Sequence, residues 1–196
     1  MNSLDRLRLL SLLLCTLIAC TNTIPGNPPT VMPTTQSTRT CSVSPSQSKL
    51  RPDMAALAGE FPLWLTVGTG TYSWSKQPIS LPPYPGRMDK IIWTVDTRVS
   101  GDLRITGKQL GGDGVLLFAD KAKTQIDDKG QVLGSIIEDK PSDVRLILSA
   151  ENGVQNSPPG FQDHGGLVYY PHPGCYQYTA TIADHTVQIV VEVLDQ

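Results

Sequence analysis

No stretch of this chain is apolar for long enough to cross a bilayer as a helix. The longest apolar run, residues 9–18, has about ten residues, where a ~30 Å hydrocarbon core needs about 20. Charge is scarce too. Asp, Glu, Lys and Arg make up 17% of 196 residues, and 16 basic against 18 acidic side chains leave the chain nearly neutral. No basic stripe exists, so nucleic acid is not an expected partner. After the first twenty residues no apolar pattern sustains a helical period over three turns. Motifs for a nucleophilic serine are missing: there is no G-x-S-x-G, and S-x-x-K never comes with its partner boxes. Gly111-Gly112-Asp113-Gly114 is followed by no helix with Lys-Ser/Thr, which excludes a phosphate loop. A non-catalytic protein is the expectation.

What the chain does have is glycine and proline, 17 and 16 residues, which suits many turns between short strands. It also has the grammar of a secretory leader. Arg6 and Arg8 give a positive start, and residues 9–18 give an apolar centre. The leader closes on Leu17-Ile18-Ala19-Cys20. That tetrad resembles the bacterial lipoprotein lipobox: aliphatic Leu17, tolerated Ile18, small Ala19, then a cysteine. The resemblance implies that Cys20 takes a diacylglyceryl thioether and becomes the mature N-terminus, giving a palmitate-type anchor in the cell membrane or outer membrane on its extracytoplasmic side. Two or three acyl chains hold a protein stably where one does not. The expected division is residues 1–19 as leader, 20–49 as lipidated cysteine and disordered linker, and 50–196 as one folded domain.

The linker, residues 21–48, is dominated by Thr, Ser, Pro, Asn and Gln. Such a composition cannot bury enough apolar surface to offset its ordering entropy. As a coil it spans about 30 Å. Four cysteines occur. Cys15 leaves with the leader and Cys20 takes lipid, so Cys41 and Cys175 remain. An oxidising compartment allows them to pair. The alternative is a buried thiol at Cys175 with Cys41 lying in the linker.

The domain reads as β throughout, with strands expected at residues 61–67, 71–75, 90–98, 103–107, 115–119, 124–126, 132–137, 143–150, 167–170, 175–183 and 186–194. Residues 77–88, with four prolines, and residues 152–166 read as loops. In the penultimate strand Tyr176, Tyr178, Ala180 and Ile182 share one face, and in the last Val187, Ile189, Val191 and Val193 do. Two stretches, Lys90-Ile-Ile-Trp-Thr-Val-Asp with Gly101-Asp-Leu-Arg-Ile-Thr-Gly-Lys-Gln-Leu, and Pro173-Gly-Cys-Tyr-Gln-Tyr-Thr-Ala-Thr-Ile-Ala-Asp with Val187-Gln-Ile-Val-Val-Glu-Val, resemble bacterial extracytoplasmic Ig-like domains of uncharacterised function. The resemblance spans about 100 residues. With the strand spacing it implies an all-β fold, an Ig-like antiparallel β-sandwich of about seven to nine strands, with Trp93 in the core.

Three candidate chemistries follow. Tyr72, Trp74 and Tyr84 stand among prolines and offer rings to a protein or glycan ligand, or else cap the core. His164, His172 and His185 with Cys175 and Met88 suggest a copper or redox accessory site, although the next histidine after Cys175 is ten residues on, not the two to four of a copper loop. Asp113, Asp127 and Asp128 lie in turns where calcium could bind, but turn chemistry accounts for them without an ion. The resulting expectation is an anchored envelope binding module with no metal or cofactor. The alternative is a copper or redox accessory protein.

Overall fold

A computed structural model describes residues 41–84, 86–149 and 157–196. The leader, Cys20 and the linker up to residue 40 lie outside the described residues. In chain order the strands are β1 (Ser46–Gln47), β2 (Leu57–Glu60), β3 (Leu63–Thr66), β4 (Thr71–Ser73), β5 (Ile79–Ser80), β6 (Gly86–Asp96), β7 (Leu103–Gln109), β8 (Leu117–Ala119), β9 (Ala122–Ile126), β10 (Val132–Ile137), β11 (Val144–Ile147), β12 (Phe161–Tyr170), β13 (Gly174–Ile182) and β14 (His185–Leu194). Among the described residues one 3-10 turn, Trp74–Lys76, interrupts them.

These strands form two sheets. The first runs β1-β2-β3-β6-β5-β10-β9, with β12 on the other side of β6 and β8 beyond it. The second runs β11-β7-β13-β14-β4. The all-β sandwich is therefore present, with two departures from the expected pattern. Two contacts are parallel, β4 with β14 and Ser80 with Ser135. The strands also number fourteen among the described residues, because short pieces are added to the long ones.

The long strands bury the faces that alternation assigns. Tyr176, Tyr178, Ala180 and Ile182 point inward from β13, and Val187, Ile189, Val191 and Val193 from β14. Trp93 is fully buried from the opposing sheet and meets Tyr178 edge to face at 6.1 Å. Each buried Val or Ile here contributes roughly 1.5–3 kcal/mol of transfer free energy.

The folded unit also reaches back beyond residue 50. Ser46 and Gln47 pair with β2. The backbone of Ser44 donates to the Val190 carbonyl at 2.9 Å, and the Val190 amide donates to the Ser44 hydroxyl at 2.9 Å. A buried guanidinium fastens the next turn. Arg51 donates twice to Asp163, at 3.0 Å each, and twice to Asp53, at 2.9 and 2.8 Å. Thr94 Oγ1 adds a third bond to Asp163, at 2.7 Å. Asp163 and Thr94 face outward from paired positions on β12 and β6, so the 50–56 turn covers the outer face of the first sheet there.

A second cover crosses the same outer face. The β9–β10 hairpin leaves β8, which lies beside β12, and docks through Ser135 on β5, which lies beside β6. It must pass over β12 and β6 to do so. Met88 and Tyr169, directly opposite each other on that face, are both buried.

Candidate functional site

The sandwich has two ends of different chemistry. At one end β6 begins, β12 finishes and β13 begins. Cys41 and Cys175 are bridged here, with Cα atoms 5.6 Å apart. Glu192 stands opposite Cys175 on β14. Both sulfurs lie within 4.8 Å of its carboxylate, but they are bonded to each other.

Inside this end the tyrosines collect. Tyr170 and Tyr178 are fully buried, with hydroxyl oxygens 2.5 Å apart. Tyr170 packs on Tyr176 at 5.1 Å and on Tyr72 at 6.3 Å. The Tyr176 hydroxyl donates to the His172 carbonyl at 2.6 Å. Burial pushes the Tyr176 phenol up to about 12, and pushes Tyr72, Tyr170 and Tyr178 up as well. These phenols stay protonated, and one of Tyr170 and Tyr178 donates to the other. Asp89 shares this space from the inner face of β6, and burial raises its carboxyl above the usual carboxylate range. The Lys90 amide, at 2.8 Å, partly offsets that cost.

The other end holds a cleft of ≈ 140 Å³. Val95, Leu103, Ile147 and Ile182 line it below, with Gln162 and His164 at its side. A site for a drug-sized ligand usually offers ~300 Å³ or more, so this cleft suits a few waters or a very small molecule.

The residues singled out from sequence fall into three groups. Cys41 and Cys175 are brought together. Tyr72 and Trp74 are half-buried and pack against the core, and Arg87 lies over the Trp74 ring at 5.9 Å. Tyr84 is half-buried. The rings of Tyr72 and Trp74 thus lie partly against the core at this end. The histidines are not brought together. His172 lies at the disulfide end, in the turn before β13. His185 lies at the opposite end, edge to face with Phe61 at 5.7 Å. His164 faces inward from mid-β12 opposite Trp93. Met88 is buried on the outer face of the sheet, and Cys175 is in the bridge. Asp127 is occupied by its own turn, accepting from Lys129 N at 2.9 Å and Gln131 N at 2.7 Å.

No protein-family model matches the chain. No curated protein matches it. A crystal structure of a candidate lipoprotein from Bacillus anthracis aligns with 14% identity and a TM-score of 0.40, over 79% of this chain and 87% of that one.

One feature that strand-by-strand reading missed is the set of exposed apolar side chains on the hairpin. Ile126, Val132, Leu133 and Ile136 are all exposed. The available signal was two adjacent apolar pairs, Val132-Leu133 and Ile136-Ile137, where a half-buried strand should alternate.

Another surface is the outer face of the second sheet. Thr106, Thr179 and Gln188 stand in one row across β7, β13 and β14, and Arg104, Thr181 and Thr186 in the next. Gln177 donates to Gln188 at 2.8 Å, and the Thr181 and Thr186 hydroxyls lie 3.1 Å apart. The face carries hydroxyls and amides, with the Arg104 guanidinium among them.

Proposed function

We propose that this chain is an envelope lipoprotein, anchored through acylated Cys20, whose Ig-like domain is a non-catalytic binding module. The observation that carries this reading is the Cys41–Cys175 bridge. Stable disulfides belong to oxidising compartments outside the cytosol. This one begins only twenty-one residues after the lipobox cysteine. Membrane lipid is then the first partner. The Ig-like reading is supported by the pairing: β3-β6-β12-β8 face β7-β13-β14, with β4 added parallel to β14, the arrangement of an immunoglobulin sandwich with added strands. The ligand is a protein or glycan met by hydrogen bonding on the Thr/Gln face of the second sheet, since the rings of Tyr72 and Trp74 lie partly against the core.

The test is detergent-phase partition after growth on labelled palmitate. The wild-type chain should carry label and enter the detergent phase, and the Cys20→Ser chain should do neither. An unlabelled wild-type chain that stays in the aqueous phase would end the anchored reading.

A further inference from the structure

We propose that the β9–β10 hairpin is a membrane-contacting surface, with Ile126, Val132 and Leu133 beside its turn seated in the interfacial layer of the bilayer that carries Cys20. This rests on the anchored reading above. Val132 is 69%, Ile126 61% and Leu133 52% exposed, and Ile126 sits directly opposite Val132. Apolar surface gathered in one place marks an interaction site, where single exposed side chains do not.

Position selects the occupant. Ser135 of the hairpin pairs with Ser80, and Ser80 pairs with Gly86, the first residue of β6. Tyr170, the last residue of β12, pairs with Arg87 at this end. The short turn after Tyr170 leads directly to Cys175 and its bridge to Cys41. The hairpin therefore docks at the end from which the tether departs. Only 20 residues separate Cys20 from Cys41. Twenty residues reach at most about 70 Å even when fully extended, which bounds how far this end of the domain stands from the lipid.

Charge argues for apolar contact over attraction to anionic headgroups. Lys121, Lys123 and Lys129 are matched by Asp127, Asp128 and Glu138. A second copy pairing along the free edge is disfavoured by Lys123 within the five-residue β9, since lysines on edge strands discourage pairing.

The acylated chain is reconstituted into phosphatidylcholine vesicles with a fluorophore on Leu133→Cys, or on Asp184→Cys in the turn at the opposite end. Quenching by spin-labelled lipid is expected at 133 and not at 184. No quenching at 133 overturns the proposal. In parallel, the Cys20→Ser chain is sedimented with the same vesicles. A bound fraction that ignores salt, and falls roughly tenfold in a Val132→Glu, Leu133→Glu variant with unchanged melting, supports the proposal. Dimers in solution that this variant dissolves would overturn it in favour of a second copy. Binding by the Cys20→Ser chain, with no palmitate label on the wild type, would sink the anchor and leave the hairpin contact standing.

Discussion

Removing the Cys41–Cys175 bridge should cost this domain more than any single buried hydrogen bond. The bridge spans 134 residues, most of the folded unit. In the chain-entropy model a loop of that length contributes about 5 kcal/mol by restricting the unfolded chain. At roughly 2–4 °C per kcal/mol for a domain of this size, the double variant Cys41→Ser, Cys175→Ser should melt roughly 10–20 °C lower. The assay is thermal unfolding by circular dichroism in a Cys20→Ser background, which keeps lipid out of the measurement. Ser44→Ala is the control. It removes the hydroxyl that Val190 N donates to and leaves the covalent link, so about 1 kcal/mol is expected. The two together separate the cross-link from the docking of the lead-in segment. A double variant that melts within ~3 °C of the bridged protein would refute the reasoning. It would mean that the unfolded chain is already restricted by other means, or that the lead-in carries no cooperative part of the fold.

Other perturbations test other parts of the molecule. Arg51→Ala leaves Asp163 buried without its guanidinium and should destabilise by roughly 3–5 kcal/mol, measured by urea titration. Asp89 binds a proton more tightly when folded than its ordinary value of 3.8, so the folded state holds the extra proton between that value and the raised one. Stability should fall as pH rises through this window, and Asp89→Asn should flatten the fall in a series of melting curves. Trp93→Ala should cost roughly 3–5 kcal/mol, and Trp93→Phe less, because the indole N–H is buried without a hydrogen-bond partner. Thr179→Arg, at the centre of the polar face, should lower co-sedimentation with purified envelope polysaccharide and leave the melting curve unchanged. Unaltered co-sedimentation would remove that face from the binding reading.

The parts of the fold legible from sequence are those where one residue pattern answers to one surface. The inward alternation of 176–182 and 187–193 is such a case, and so is the core position of Trp93. The illegible parts are places where an element meets a distant one. Residues 161–166 read as loop because of Gly165-Gly166, yet they extend β12. Gly166 is there because Arg145 lies across it. Arg145 donates to the Gly165 carbonyl and pairs with Asp120 at 3.1 Å, and a Cβ at Gly166 would overlap its guanidinium. Proline density hid β5 and the first four residues of β6 in the same way. The candidate site divided similarly. Elimination leaves two cysteines that can pair, whereas the positions of three histidines, two on separate strands and one in a turn, cannot be read without the pairing register.

The bridge also bears on how the domain stands on a membrane. A lead-in held by Cys175 releases the tether at the hairpin end, and the Ser44–Val190 pair and β1 then lay residues 44–47 along the sheets. Without the bridge, those few hydrogen bonds, each worth about 1 kcal/mol, and the packing of Val43 against Gly70 hold this segment. If residues 41–47 peel away, the tether gains seven residues, or up to ~25 Å of reach. The domain could then turn its hairpin away from the lipid. Quenching at Leu133→Cys should accordingly weaken in the reconstituted Cys41→Ser, Cys175→Ser chain at a temperature where its circular dichroism is still native. Undiminished quenching would show that the hairpin's own apolar contact, and not the point of tether exit, sets the orientation.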